Sequence, residues 1–283
     1  MGMRSISPAA ARFAMMLLVA AEFGPTAGSA QELSAAEEAA RKASDPLGSV
    51  KALMTDNTIG FNAGENDDDT SFGFQIQPVY AIPNQSRWNM IARAIVPVVG
   101  LEPGVVAPPI GSEPRPDTGS TWGLSDTIAQ FFFSPKSDGA WKWGIGPQVT
   151  LKTRTNDRLA GAGWGGGVGG VLFGGSGPWS YGALVMQIWG QDSFSIFTLQ
   201  PTVVYLLKSM PGAYIGYNNA MTYDWNADSD NAFTLPLGLT FGKALVKQNG
   251  DFWDVSAGVY PLVVRPDGAP SWQLKFGVSY FFD

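Results

Sequence analysis

The sequence predicts an all-β fold: an antiparallel transmembrane β-barrel of about 12 strands. Three observations point there. First, the stretch from Pro270 to Asp283 alternates. Trp272, Leu274, Phe276, Val278, Tyr280 and Phe282 form one row; Gln273, Lys275, Gly277, Ser279 and Phe281 form the other. Successive strand side chains point to opposite faces, so one face is apolar and the other mostly polar or small. About eleven residues suffice for a tilted strand to cross a bilayer core. Second, charged residues make up only 15% of the 283, against 35 glycines and 12% aromatics. Soluble domains carry about 25% charge, so something other than water must cover this surface. Third, no run of about 18 apolar residues follows the N-terminal segment, which leaves strands to do the crossing.

The N-terminal 55 residues divide in two. Residues 1–30 read as a secretory signal peptide. Arg4 and Arg12 supply positive charge, Phe13 to Ala21 the apolar core, and Gly28-Ser29-Ala30 the small residues before a cut ahead of Gln31. The expected destination is the cell outer membrane of a Gram-negative bacterium. Residues 31–55 read as a short helical leader or plug. Ser34 and Glu37 have capping-box spacing, an Ala/Glu/Arg/Lys-rich run follows, and Asp45-Pro46 stops it. Its place, in the periplasm or in the lumen, stays open. The barrel is assigned to 56–283.

Composition excludes much chemistry. Residues 1–30 hold two Arg and one Glu, so their loss takes the formal charge from −6 to −7. An acidic exported chain has no electrostatic case for nucleic acid. The chain has no Cys and no His. Disulfides are therefore absent, Ser-His and Asp-His catalysis is impossible, and zinc or haem has poor prospects. Gly163 to Gly170 lacks the Lys and the following helix of a phosphate loop. No enzyme activity, metal or cofactor is expected.

From Asn57 the period becomes two. Strands are predicted at 57–63, 70–80, 88–98, 122–133, 141–153, 163–174, 179–190, 194–207, 213–225, 232–243, 251–262 and 271–282. The glycines of 163–174 weaken a strand but permit close backbone approach. Connections should alternate between outer loops and inner turns. The outer set is 64–69, 99–121, 154–162, 191–193, 226–231 and 263–270, each with Asp. The inner turns hold Lys136, Lys208 and Lys247. The long Pro-rich loop 99–121 falls on the outer side, as barrels with short periplasmic turns require.

Alternation points Arg93, Lys142, Lys152, Lys275, Asp126, Asp224 and Asp254 into the lumen, with Gln75, Gln77, Gln130, Gln148, Gln187 and Gln200. The candidate substrate path is Arg93, Asp126, Gln148, Lys152, Asp224, Asp254 and Lys275. These charges either pair across the lumen and fill it or line a selective polar path. Phe132, Tyr181, Trp189 and Tyr260 are expected inward, as core packing or as an apolar slot. Asp67, Asp68, Asp69, Asp228 and Asp230 read as a solvated acidic surface, with divalent cations or lipopolysaccharide as the other option.

The segments F-Q-I-Q-P-V at 74–79, W-N-M-I-A-R-A-I-V-P-V at 88–98, F-F-F-S-P at 131–135 and W-G-I-G-P-Q at 143–148 resemble one bacterial family. So do L-P-L-G-L-T-F-G-K at 235–243 and P-D-G-A-P-S-W-Q-L-K-F-G-V-S-Y-F-F at 266–282. It is the outer-membrane transporter family labelled phenol-degradation (meta-pathway) proteins, some of which carry the name neuromedin U. The resemblance runs over most of the chain after residue 30. It implies an outer-membrane barrel that passes small, often aromatic, compounds, in contact with lipid, lipopolysaccharide and the barrel-insertion machinery. The chain departs from barrel habit by ending in Asp283 rather than in an aromatic. A non-transporting barrel that acts through its outer loops is the alternative reading.

Overall fold

The computed structural model describes residues 33–48, 51–83, 86–103, 105, 119–137, 139–159 and 161–282. The proposed signal peptide, most of loop 99–121 and Asp283 lie outside the described residues.

Helix α1 spans Ala35–Ser44. The capping box forms: Ser34 N donates to Glu37 Oε2 (2.8 Å) and Glu37 N donates to Ser34 Oγ (3.4 Å). Glu37 and Glu38 lie in the first turn and Arg41 and Lys42 in the last, each opposite in sign to the helix end it faces. Pro46 removes a donor and ends the helix, and Asp45 Oδ1 takes the Leu47 N–H (2.9 Å).

Fifteen strand segments follow. They are β1 (Lys51–Ala63), β2 (Asp69–Ile82), β3 (Trp88–Leu101), β4 (Thr121–Leu124), β5 (Thr127–Pro135), β6 (Trp141–Leu151), β7 (Gly165–Ser176) and β8 (Trp179–Trp189). Then come β9 (Ser195–Leu206), β10 (Ala213–Asn218), β11 (Met221–Asp224), β12 (Phe233–Pro236), β13 (Leu239–Val246), β14 (Phe252–Val264) and β15 (Trp272–Phe282). Three pairs, β4/β5, β10/β11 and β12/β13, are single barrel strands interrupted by two residues each. Fifteen segments less three interruptions give twelve antiparallel strands. Strand β15 closes the barrel on β1, with Ile59 opposite Leu274 and Phe61 opposite Trp272. The rings of that last pair stack at 4.2 Å. This closing ladder lapses between Leu53/Tyr280 and Asn57/Phe276. There Thr55 Oγ1 accepts from Val278 N and donates to Val278 O, both at 2.9 Å, and Asn57 Nδ2 donates to Phe276 O (3.1 Å).

Twelve strands agree with the alternation. The main boundary difference is at β1, which begins at Lys51 rather than 57. The adjacent apolar residues Leu53 and Met54 hide the period there. The glycines of β7 serve the close approach expected of them. A Cβ on Gly169 would lie 2.6 Å from Gln148 Nε2 and 3.1 Å from the Phe132 ring, so its absence lets both side chains lean across the inner wall.

The outer surface is inverted relative to a soluble protein. Ile145 (60% exposed), Leu239 (58%), Val168 (56%) and Phe241 (48%) stand in a broad apolar band. All ten tryptophans border it. Trp88, Trp141, Trp143, Trp179 and Trp253 sit at the end with the short turns. Trp122, Trp164, Trp189, Trp225 and Trp272 sit at the end with the longer loops. Two aromatic girdles around an apolar band match the two interfaces of a bilayer.

Candidate functional site

The inner wall is polar and partly filled. At the turn end the chain's own N-terminal segment occupies the lumen. Ala39 and Ala40 of α1 pack against Ala52, Val204, Leu206, Tyr214, Phe252 and Phe281. Leu47, 1% exposed, reaches deeper, among Ile91, Phe132, Val171, Phe173 and Leu184. Two polar ties seat this plug. Arg41 donates to the carbonyls of Gly177 and Trp179, and Lys142 Nζ lies 2.7 Å from Asp45 Oδ2. The inward position expected for Lys142 thus becomes an anchor for the plug.

Beyond the plug lie two chambers. The lower, about 150 Å³, is lined by Asp45, Pro46, Tyr214, Asp254 and Ser279 among others. The upper, about 260 Å³, has walls of Ile95, Ile128, Met186, Ile188 and Ile196 with polar edges at Thr58, Gln130 and Thr222. Six residues line both chambers: Asp56, Gln77, Arg93, Leu184, Gln200 and Lys275. They form a waist where the chambers meet. In it, Arg93 Nη2 donates to Gln77 Oε1, and Gln77 Nε2 donates to Gln75 Oε1 (2.6 Å). Lys275 Nζ sits 3.0 Å from Asp56 Oδ1 and also donates to Asn219 Oδ1 (3.3 Å). The interruption of β10/β11 falls at Asn219 and Ala220, which frees Asn219 from the ladder to meet Lys275.

Asp126 holds the loop end of the upper chamber. It sits in the β4/β5 interruption and is almost fully buried. Its Oδ2 accepts from Arg154 Nη1 (2.9 Å), Gly161 N (3.0 Å) and Gly163 N (2.7 Å). Gly163 has φ +63°, and a Cβ there would come within 2.4 Å of Gln191 Oε1. The turn therefore needs glycine. Arg154 Nε lies 3.3 Å from Asp157 Oδ1 as an ion pair whose angle makes no hydrogen bond. Arg158 crosses the rim to donate to the carbonyls of Gly119 (2.6 Å) and Glu102.

The seven candidate path residues scatter. Arg93 and Lys275 meet at the waist. Asp126 and Asp254 line separate chambers; Asp254 Oδ2 accepts from Tyr214 OH (3.0 Å). Gln148 is buried in the wall, its Oε1 accepting from Gln130 Nε2 (3.2 Å). Lys152 corrects the expectation: it is exposed and lines neither chamber. Strand β6 ends at Leu151, whose carbonyl takes the Thr153 N–H (2.8 Å), so the alternation stops one residue short. Asp224 also lines neither chamber. It ends β11 and accepts from Asn226 N (2.9 Å), a turn role. Tyr181, Gln187 and Trp189 belong to the outer row of β8, because Ser180, Leu184 and Ile188 take the inner one. Apolar residues occupy both rows of that strand, so alternation alone cannot choose between them. Phe132 and Tyr260 do face inward, buried. Asp67 pairs with Arg265 (2.8 Å), and among the described residues no group of three carboxylates converges as a cation site. Asp56, Asn219 and Arg154 are site residues the alternation missed. Extending the first strand back to Lys51 would have put Asp56 on the inner row with Thr58.

The fold and site define a class: a closed twelve-stranded barrel with a plugged, two-chambered lumen. Its fold is similar to the COG4313 outer membrane channel from Pseudomonas putida F1. The TM-score is 0.59 at 13% identity, over 92% of this chain and 100% of that one. A bacterial polysaccharide outer membrane secretin aligns with TM-score 0.37 at 13% identity, over 83% of this chain and 99% of that one. CdiB from Acinetobacter baumannii gives 0.34 at 10%, over 82% and 60%. At these identities the first likeness speaks to fold, and the other two carry no further argument. No protein-family model and no curated protein matches the sequence.

Proposed function

We propose that this barrel is a passive channel of the cell outer membrane for small, partly apolar molecules. One observation carries the reading: two chambers lie end to end inside a closed wall whose outside is an apolar band between two tryptophan girdles. Barrels of about eight strands are filled by side chains and those of 16 or more leave a channel. This one lies between, and its lumen is partly filled. The fold shared with an outer membrane channel and the resemblance to the phenol-degradation transporter family support the same reading. In it, residues 1–30 direct export and are removed. The girdles sit among lipid and lipopolysaccharide headgroups, and the insertion machinery reads the apolar row of β15. Residues 33–48 are the gate, because they fill the turn end and are joined to the wall mainly by side chains. No catalytic role is assigned, since a chain without His or Cys lacks the usual acid–base and nucleophile pairs.

Uptake of single-ring aromatics into proteoliposomes tests this. The full chain should pass them slowly, and a chain lacking residues 33–48 should pass them at least severalfold faster. A plug-deleted barrel that inserts and passes no small solute would sink the proposal.

A further inference from the structure

We propose that the upper chamber is a binding site for a small monocarboxylate with an apolar, single-ring-sized body, its carboxylate held by Arg93. The waist carries two cations, Arg93 and Lys275, against one carboxylate, Asp56. Asp56 is already taken by Lys275 at 3.0 Å. Among the described residues no carboxylate stands within ion-pair distance of Arg93. Its Nη2 is held by the neutral Gln77, and its covered Nε has no acceptor. The surface that Arg93 retains faces the chambers it lines. A largely buried cation whose hydrogen-bond partner is neutral, with Asp56 acting on it only from beyond ion-pair distance, is costly, and an arriving anion with two oxygens matches the guanidinium fork. The same chamber fixes the rest of the ligand. Its remaining wall presents more apolar than polar surface, with Ile95, Ile128, Met186 and Ile196 set among polar residues such as Thr58, Gln130 and Thr222. Its volume of about 260 Å³ exceeds the ~150 Å³ that accommodates benzene in a protein interior. A bare inorganic anion would leave that apolar surface unused.

This deepens the channel reading by naming the passenger's chemistry, and it rests on that reading only for its purpose. The test is calorimetric titration of the full chain in non-ionic detergent with benzoate, benzyl alcohol and acetate. Benzyl alcohol keeps the ring without the charge; acetate keeps the charge without the ring. Benzoate should bind about ten- to a hundredfold tighter than benzyl alcohol, the range of one charge-assisted hydrogen-bonded contact, and tighter than acetate by the burial of its ring. Arg93→Gln should erase the preference over benzyl alcohol, while Arg93→Lys should keep part of it. Equal binding of benzoate and benzyl alcohol, equal binding of benzoate and acetate, no binding of benzoate, or a preference that survives Arg93→Gln would each overturn the proposal. The comparison on the unsubstituted chain stands even if Arg93→Gln does not fold. No membrane is involved, so absent flux with intact benzoate binding refutes the channel alone, and flux without benzoate preference refutes this site alone.

Discussion

At the turn end of the lumen Ala39, Ala40 and Leu47 are held mostly by apolar contact. At the loop end Asp126 gathers one guanidinium and two backbone amides into a rim that belongs to the wall itself. Apolar packing is non-directional and scales with area, so a packed segment can leave as a unit. A buried ion pair with satisfied hydrogen bonds is directional, and it fails badly when one partner is lost. The difference divides labour: one end is built to be displaced and the other to hold shape.

Breaking the rim should have the largest effect. Asp126→Ala leaves Arg154, only 7% exposed at its side chain, without its buried counter-charge. A loss of about 3–5 kcal/mol is expected, read by urea unfolding in detergent, with hydrogen exchange rising first around residues 154–163. If exchange rises first in α1 instead, the two ends are coupled and the division fails. Next comes the plug. Leu47→Ala should weaken its docking by about 2–3 kcal/mol. Limited proteolysis should then cut within 33–48 while the barrel resists; simultaneous loss of the barrel would count against a separable plug. Ser34→Ala removes the N-cap acceptor and should cost about 1 kcal/mol of helix stability, seen as faster exchange of the first-turn amides and unchanged rates in β14. The smallest effect is a pH response. Hydrogen bonds from the Ser34 hydroxyl and backbone N–H hold the Glu37 carboxyl below its ordinary 4.5. Its contribution is therefore complete above about pH 4.5 and fades as pH falls through the lowered value. Protection of the α1 amides, taken relative to their intrinsic exchange rate at each pH, should fall on acidification below that point, and Glu37→Gln should flatten the response.

The barrel was legible because its signal is redundant. A strand such as β15 states its two faces in every residue, and twelve of them agree. The site was only partly legible, since alternation says which way a side chain points and nothing of where a strand ends or breaks. Arg93 and Lys275 sit in mid-strand and were placed correctly on the inner row. Lys152 and Asp224 sit at or beyond strand ends, where loop hydrogen bonds decide, and both were misplaced into the path. Asp56 was lost with a mistaken strand start. Asn219 owes its role to a two-residue interruption that no periodicity announces. In β8, apolar side chains on both rows removed the contrast that alternation needs.

The Thr55 bridge bears on how the barrel is sealed where β1 meets β15. Thr55 and Asn57 belong to the outward row of β1 with the half-exposed Leu53, and their polar groups are satisfied by the backbone of β15. Where the backbone ladder lapses, these two side chains take its place along the line on which the chain's two ends meet. Without them the Val278 N–H and C=O and the Phe276 C=O would face hydrocarbon unpaired, each at a penalty of several kcal/mol. The closing line is thus a seam stitched in part by side chains, a place in the wall where a point substitution such as Thr55→Val would act as a backbone defect.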